Sequence, residues 1–308
     1  MSIIRTVLGD IEPDELGFCH PHEHLLAMPP EPYATEESDL VLDSEDAARS
    51  DLSEFYRVGG RALVEMTPID YHRNPAGLKR LSQASGVHII CVTGFLKEKF
   101  AAPFVANETV ESLAERFIRE IEIGIEDTGV RAGVIKAASS LNKITPNEEK
   151  VFRAAAIAHH KTGALISTHT EMGTIALEQV ELLLKEGVHP SRILIGHLDR
   201  NLDWELHVAL ARTGVYFGFD QISKTKYFPD EARVDFIVRL VAEGFGQQIM
   251  LSSDLARKSN YPGYGGKPGL MYLIEHFVPM LRDAGLNETI IMDMLIRNPA
   301  RALTLHGA

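Results

Sequence analysis

The sequence predicts one (β/α)8 TIM barrel, a single domain spanning residues 1–308. Eight short runs of apolar and β-branched residues recur along the chain, and segments with helical spacing of apolar residues separate them. Near-continuous apolar runs predict parallel strands covered on both faces, and a count of eight favours a closed barrel over an open sheet. With 308 residues, 45% of them hydrophobic, the chain is long enough to bury the core of such a barrel.

The eight runs predict short strands of the kind that line a barrel. In chain order the predicted strands are residues 16–19, 62–66, 87–93, 133–137, 164–168, 193–196, 215–219 and 249–252. Residues 28–43, after the first strand, show neither strand nor helix spacing and predict a long loop. Loops that follow barrel strands carry the chemistry in this fold.

The segments between and after the strands predict helices. Helical spacing of apolar residues is clear at residues 147–161, 174–186, 231–243, 269–284 and 288–303. Glycine often stands shortly before the next strand, where a residue in the left-handed conformation ends a helix, at positions 86, 129, 163, 187 and 214. Strand and helix therefore alternate along the chain, as βα units require.

Charge and cysteine content exclude several classes of protein. Lys and Arg number 31 against 43 Asp and Glu, a formal net charge of −12, which argues against nucleic acid or an anionic membrane as the main partner. Two cysteines, Cys19 and Cys91, cannot form a disulfide framework or a cysteine zinc ribbon. Because the start MSIIRTVLGDIEPDE lacks a secretory leader and no apolar run reaches about 18 residues, we expect a cytoplasmic, unanchored protein.

Six side chains that can bind a metal ion stand at or just after the ends of predicted strands. They are His22, His24, Lys136, His169, His197 and Asp254. The two histidines of the HEH motif at 22–24 are separated by one residue, so their imidazoles point to the same side and can hold one ion. Each residue alone has a simpler interpretation as a loop hydrogen-bonding group, an ion-pair partner or a helix cap. Because all six converge on one end of a barrel, the set favours a metal centre.

The order of these residues resembles the phosphotriesterase family of the amidohydrolase superfamily. The resemblance extends from Gly17 and the HEH motif to NPAR at 298–301, nearly the whole chain. It implies that a buried metal ion is held by His22, His24 and Asp254, and a more exposed one by His169 and His197. It also implies that Lys136 bridges both ions as a carbamate derived from carbon dioxide.

Elementary chemistry agrees with the resemblance. A desolvated lysine near cations is favoured as the neutral amine, which can add carbon dioxide and offer one oxygen to each ion. Two divalent ions about 3.5–4 Å apart at such a site would activate a water molecule and polarise the substrate, and Asp254 would pass the proton to the leaving group. Zinc is the expected metal, and manganese, cobalt or iron suit the same ligands. The alternative for Lys136, a Schiff-base lysine, does not require four histidines and an aspartate around it.

Two loops reverse the overall negative charge. Residues 221–229 and 255–274 carry basic side chains and no acid, and they follow the seventh and eighth predicted strands, where many barrels bind phosphate. Solvated loops or a dimer contact are the alternatives. The segments FDQISKTKYFPDEAR and SSDLARKSNYPGYGGKPG resemble the branch of the family that opens phosphorylated sugar lactones. That resemblance assigns a substrate phosphate to Lys226, Tyr227, Arg257 and Lys258, and further to Lys224, Tyr264 and Lys267.

Other residues refine the expected substrate. Asp199 and Arg200, just after His197, are candidates to orient the lactone carbonyl or hydroxyls, whereas His20 is expected to be a loop residue. The segment LKEK at 96–99 lacks the tyrosine typical of family members that act on long acyl homoserine lactones, which disfavours that class.

The sequence as a whole predicts a binuclear lactonase for a small phosphorylated sugar lactone, with an anionic small molecule as its partner. Its oligomeric state is open and a homodimer is compatible. The alternatives are a phosphotriesterase or promiscuous carboxylesterase with the same metals, and a non-catalytic ligand-binding barrel.

Overall fold

The computed structural model describes residues 2–306 and shows an eight-stranded parallel barrel with helices between successive strands, which confirms the predicted fold class. Two short strands, β1 (Ser2–Thr6) and β2 (Gly9–Ile11), precede the barrel, and β11 (Leu305–His306) ends the described chain. The barrel strands are β3 (Cys19–Glu23), β4 (Ala62–Glu65), β5 (His88–Gly94), β6 (Val134–Ser139), β7 (Leu165–Thr170), β8 (Ile193–Gly196), β9 (Tyr216–Phe219) and β10 (Ile249–Leu251).

Helices cover the outside of the barrel. They are α1 (Tyr33–Glu36), α2 (Glu45–Arg57), α3 (Pro75–Ser85), α4 (Glu98–Val105), α5 (Val110–Glu122), α6 (Pro146–Thr162), α7 (Ala176–Lys185), α8 (Trp204–Thr213), α9 (Asp230–Ala242), α10 (Val278–Asp283), α11 (Glu288–Met292) and α12 (Asn298–Leu303). Two π-helical segments, Leu273–Phe277 and Asp293–Arg297, lead into α10 and join α11 to α12. Within residues 2–306, no helix combines the length and the apolar character needed to cross a bilayer.

The barrel closes where β3 meets the end of β10. Neighbouring strands pair in chain order from β3 to β10. At the seam the carbonyl of His22 accepts hydrogen bonds from the Ser252 hydroxyl at 2.8 Å and from the Asp254 amide at 3.1 Å. Asp254 is thereby brought next to the strand that carries the HEH motif.

The buried carboxyl group of Glu23 reinforces this seam. It accepts hydrogen bonds from the Ser252 hydroxyl and from the amides of Ser253 and Leu255, each at 2.8 Å. The Nδ1 atom of His20 lies 2.9 Å from the same group. A buried carboxyl group is tolerated when donors surround it, so Glu23 joins the two ends of the barrel sheet.

Several boundaries differ from the sequence-based prediction. The first barrel strand begins at Cys19 instead of ending there, because its inner residues are polar and buried, a pattern that hydropathy does not mark as a strand. His20 is accordingly a buried strand residue and not a loop residue. The predicted loop at 28–43 contains the short helix α1. The three-stranded sheet formed by β1, β2 and β11 was not predicted, because β11 lies at the other end of the chain from its partner β1.

The helical predictions for residues 147–161, 174–186 and 231–243 are confirmed to within two residues by α6, α7 and α9. Thr145 begins α6 with a side-chain hydrogen bond to the Glu148 amide, and Gly163 ends it in the left-handed conformation. The predicted segments at 269–284 and 288–303 are helical but contain the two π-helical stretches.

Replacing Glu23 with glutamine should destabilise the fold. Glutamine keeps the shape but loses the charge, and its amide nitrogen faces donors, so we expect the free energy of unfolding to fall by about 3 kcal/mol. Urea unfolding followed by circular dichroism measures the change. Glu54→Gln, at an exposed position on α2, is the matched control and should shift stability by less than about 0.5 kcal/mol. Equal midpoints for the two variants would contradict the role given to Glu23.

Candidate metal centre

All six predicted metal ligands meet at the carboxyl end of the barrel. They line one pocket of about 140 Å³ together with Ala27, Pro68, Tyr71, Leu96 and Ala256. His22 lies within β3, Lys136 within β6 and His169 within β7, whereas the other three follow their strands. Parallel strands bring residues that are distant in sequence to the same end of the barrel, which is why the set converges.

The local backbone conformation positions several of these side chains. Gly94 on β5 pairs with Lys136 and has a φ of +101°, and a Cβ atom there would lie 2.0 Å from the Lys136 carbonyl oxygen. Glycine is therefore required beside Lys136. His197 and Asp254 adopt left-handed conformations, with φ values of 61° and 45°. Non-glycine residues held in this region store strain, which is common at functional sites.

One group of ligand atoms surrounds Asp254. Its Oδ1 atom lies 3.6 Å from His22 Nε2 and 3.3 Å from His24 Nε2. The potential ligand atoms of these three residues all lie within 4.8 Å of one another. Two imidazoles and a carboxylate are ligands that zinc and similar divalent ions bind. These residues therefore form a candidate metal site.

Unpartnered nitrogen atoms supply the test of whether an ion fits. His22 Nε2 and His169 Nε2 are buried and have no hydrogen-bond partner within residues 2–306. His169 Nδ1 lies 2.8 Å from His197 Nε2, so two imidazole rings meet edge to face beside the first group. A buried polar atom without a partner is unfavourable unless something else satisfies it. The donor set thus fits divalent metal ions.

Carboxylates behind the histidines orient the rings. Asp220 lies between two of them, with Oδ2 3.3 Å from His22 Nδ1 and Oδ1 2.7 Å from His197 Nδ1. Gly218 leaves room for it, since a Cβ atom there would lie 2.9 Å from Asp220 Oδ2. Burial acts to raise the pKa of Asp220, but the neighbouring imidazoles outweigh burial and hold the pKa below its usual range. Asp220 therefore stays ionised, orients the His197 ring by a hydrogen bond and lies close to the Nδ1 side of His22.

His24 is oriented in a similar way. Its Nδ1 atom lies 2.8 Å from the hydroxyl of Thr67, which donates to Glu65 at 2.6 Å. Asp220, Thr67 and Glu65 were missed by the sequence analysis. For Asp220 a signal existed, because an acidic residue directly after an apolar barrel strand matches the pattern used for the other ligands.

Lys136 is an unusual lysine. Its side chain is buried within β6, and its Nζ atom donates a hydrogen bond to the Met66 carbonyl at 2.8 Å. Burial lowers the pKa of Lys136 to about 8, although the surrounding carboxylates oppose the shift. A larger share of its amine is therefore neutral near pH 7 than for an exposed lysine.

A second cavity of about 520 Å³ adjoins the first, and the two share Leu96, His169, Asp254 and Ala256. Its lining includes six of the eight predicted substrate-binding residues, namely Arg200, Lys224, Lys226, Tyr227, Arg257 and Lys267. The other two lie outside its lining. Lys258 pairs with Asp43 at 3.1 Å, and the Tyr264 hydroxyl accepts a hydrogen bond from the Ser44 amide at 2.7 Å.

The cations in this second cavity differ in how far they are neutralised. Lys224 lies 2.9 Å from Asp254 Oδ2, and Arg257 pairs with Glu37 at 3.1 Å. Among residues 2–306, the other three cations predicted to bind substrate form no salt bridge, namely Arg200, Lys226 and Lys267. The cavity therefore carries unpaired positive charge in a chain whose net charge is −12.

Asp199 does not have the predicted position. It is fully buried and pairs with Arg233 at 2.8 Å, and it accepts hydrogen bonds from the amides of Asp220 and Gln221. Asp199 therefore fixes the loop after β9 and is unavailable to a substrate. Arg200, by contrast, lies in the cavity with its guanidinium 4.3 Å from the centre of the Tyr227 ring.

Comparison with known proteins places this geometry in a family. Residues 2–303 match the phosphotriesterase family. A phospho-furanose lactonase of Mycoplasmopsis synoviae is 33% identical to this chain, over 97% of this chain and 91% of that protein. The structure of a lactonase from Listeria monocytogenes superimposes with a TM-score of 0.94 at 38% identity, covering 99% of both chains.

A third similar protein is the phosphotriesterase homology protein of Escherichia coli, whose crystal structure has phosphate in the active site. It superimposes with a TM-score of 0.90 at 35% identity, covering 94% of this chain and 99% of that one. The chain therefore belongs to the phosphotriesterase family of ester-hydrolysing enzymes.

Proposed function

We propose that this protein is a binuclear metal-dependent lactonase that opens a small phosphorylated sugar lactone. The observation that carries the proposal is the junction of two cavities, one lined by six potential metal ligands and the other by unpaired cations. Two of the similar proteins are named lactonases. The substrate is accordingly an anionic small molecule.

In this proposal His22, His24 and Asp254 hold one divalent ion, and His169 and His197 hold the other. Zinc is the proposed metal, and manganese, cobalt and iron suit the same ligands. When bound, the pair of ions supplies the Lewis acidity that activates water and polarises the lactone carbonyl. Asp220 and Thr67 keep the imidazole rings oriented for this task.

Lys136 connects the two ligand groups as a carbamate. Its neutral amine forms a bond to the carbon of carbon dioxide and releases one proton, so the product is an anionic carboxylated lysine. The position of the amine in the buried pocket, with a single carbonyl partner on Met66, leaves the nitrogen facing the other ligands. A carbamate on Lys136 would offer two oxygens where the amine offers one nitrogen, so this residue would serve both ligand groups.

Asp254 moves the proton in the proposed reaction. Its Oδ2 atom accepts hydrogen bonds from Gln221 at 2.8 Å and from Lys224 at 2.9 Å. Burial alone would raise the pKa of Asp254, but the Lys224 charge and the histidines hold the pKa well below its usual range. The ionised carboxylate accepts the proton of the attacking water and delivers it to the ring oxygen that leaves.

The phosphate serves as a binding handle and is not cleaved. Lys226 and Lys267, together with Arg200, form the unpaired cationic part of the cavity. A phosphate dianion held there lets binding energy from a remote group position the lactone carbonyl at the metal centre. The Escherichia coli relative binds phosphate in its active site, which supports an anionic substrate for this chain.

A phosphotriesterase or carboxylesterase activity is the second candidate. The cavity also has apolar side chains in its lining, Leu40, Leu96 and Phe100, which suit an alkyl or aryl group. Such substrates are neutral or weakly charged and gain little from unpaired cations. A non-catalytic binding barrel remains the alternative of another class, and it predicts metal binding without turnover.

The first test compares substrates. We expect the zinc- or manganese-loaded protein, prepared with bicarbonate, to open phosphorylated sugar lactones with a kcat/KM about 100-fold higher than for the same lactones without phosphate. Acid release measured with a pH indicator follows the reaction, with a neutral phosphotriester as the comparison. Faster cleavage of the triester would favour the second candidate, and no turnover with two bound ions would favour the binding protein.

Lys226→Met tests the phosphate handle. Loss of one charged contact should raise KM for the phosphorylated lactone about tenfold and leave kinetics with the unphosphorylated lactone unchanged. Lys185→Met, at an exposed lysine at the end of α7, is the matched control and should behave as the unchanged protein. A similar loss with both lactones would show that Lys226 supports the loop and not the phosphate.

Lys136→Ala tests the bridge. We expect this variant to lose essentially all turnover, because the two ligand groups no longer share a bridging group. It should also retain less metal than the loaded protein, which is expected to hold about two ions per chain. Elemental analysis after gel filtration measures the metal content. Lys143→Ala, which removes an exposed lysine near the end of the same βα loop, is the control. Full turnover in Lys136→Ala would refute the assignment.

A further inference from the structure

Lys97 is a cation of the substrate cavity to which neither the sequence analysis nor the proposed function assigns a role. It lines the large cavity and directly follows Leu96, which lines both cavities. Its ammonium lies 2.5 Å from Glu171 Oε1, and both side chains are more than two-thirds buried. Glu171 is two residues beyond His169 on the loop after β7.

The pair spans the end of one barrel strand. Lys97 follows β5 and Glu171 follows β7, and the strand between them is β6, which carries Lys136. The ion pair thus joins the loops on either side of the strand that carries Lys136, whereas the unpaired cations of the cavity lie on the loops after β8 to β10. Because Glu171 neutralises most of its charge, Lys97 contributes a hydrogen-bond donor more than a net charge.

The backbone on either side of Lys97 is anchored. The amide of Leu96 donates to both carboxylate oxygens of Asp70 at 3.1 Å, and the amide of Glu98 donates to Glu148 Oε1 at 2.8 Å. Asp70 and Glu148 are buried. A donor held on a fixed backbone and a fixed counterion loses little freedom when it binds a ligand, so it discriminates well between ligands.

We propose that Lys97, positioned by Glu171, recognises the hydroxyl group on the carbon next to the lactone carbonyl. The inference rests on the proposed function, since it takes the phosphate to lie at Lys226 and Lys267 and the carbonyl to lie at the metal centre. It also takes the carbon next to the carbonyl to face Lys97, which lines the same cavity as Lys226 and Lys267. The ammonium of a lysine has three N–H donors, and among residues 2–306 that of Lys97 has one hydrogen-bond acceptor, Glu171. The substrate class is therefore a phosphorylated 2-hydroxy lactone.

The test compares a phosphorylated sugar lactone with its 2-deoxy analogue in the metal-loaded protein and in Lys97→Met. We expect the unchanged protein to favour the hydroxylated lactone about tenfold in kcat/KM, mainly through KM, and Lys97→Met to lose this preference. The preference for phosphorylated over unphosphorylated lactones should persist in Lys97→Met. Glu171→Gln should reduce the 2-hydroxyl preference partly, because the ammonium remains but loses its fixed position.

Lys226→Met is the matched control, since it removes a cation from the same cavity at the other end. It should reduce the phosphate preference about tenfold and keep the 2-hydroxyl preference. If Lys97→Met retains the 2-hydroxyl preference, or loses the phosphate preference instead, the inference is wrong. Thermal unfolding verifies that the variants fold, and Lys97→Leu, which also lacks a donor, replaces Lys97→Met if the latter does not.

A binding measurement separates this inference from the proposed function. Calorimetry with the phosphorylated 2-hydroxy acid and its 2-deoxy analogue reports the same selectivity without turnover. If the unchanged protein opens none of the lactones, the proposed function fails, and a 2-hydroxyl preference in binding that Lys97→Met loses still supports the role of Lys97. Equal binding of both acids by the unchanged protein would overturn that role.

Discussion

The buried carboxyl group of Glu23 is the constraint on which the remaining architecture depends. Its oxygens accept hydrogen bonds from Ser252, Ser253 and Leu255, so the last barrel strand and the loop after it are tied to the first. Leaving this group buried without donors would be strongly unfavourable, and the barrel therefore closes in one register. That register sets Asp254 against His22 and His24, so the seam of the fold also forms one side of the candidate metal centre.

Buried carboxylates also fix other loops at the carboxyl end of the barrel. Buried carboxylates accept hydrogen bonds from the backbone of a neighbouring loop, as Asp70 does from Leu96 and Asp199 does from Asp220 and Gln221. Loops are otherwise the mobile part of a barrel. Here each of these hydrogen bonds fixes the backbone next to a side chain that faces the pocket. A site assembled from six loops and strands is therefore held in a rigid geometry.

Charge divides the open end of the barrel into two regions. The small pocket combines imidazoles with buried acids, and this composition favours cations. The large cavity presents Lys226, Lys267 and Arg200 without salt-bridge partners among residues 2–306, and this composition favours an anion. A molecule with a carbonyl at one end and an anionic group at the other matches both regions. Neither region alone distinguishes a lactone from other esters. Because the two regions are adjacent, however, they favour substrates whose negative charge lies at a distance from the reacting bond.

The sequence by itself determined the class of fold and the identities of the six potential ligands. Apolar runs with β-branched residues, and their alternation with helices, are local patterns that the sequence shows directly. Residues at the ends of strands converge in any parallel barrel. Local pattern could not place the first strand, because its buried polar residues are stabilised by partners more than 200 positions away, as Glu23 is by Ser252. Tertiary structure alone also decided which cations are free. Lys258 and Arg257 look equivalent to Lys226 in the sequence, yet Asp43 and Glu37 neutralise them, since ion pairing depends on distance in space and not along the chain.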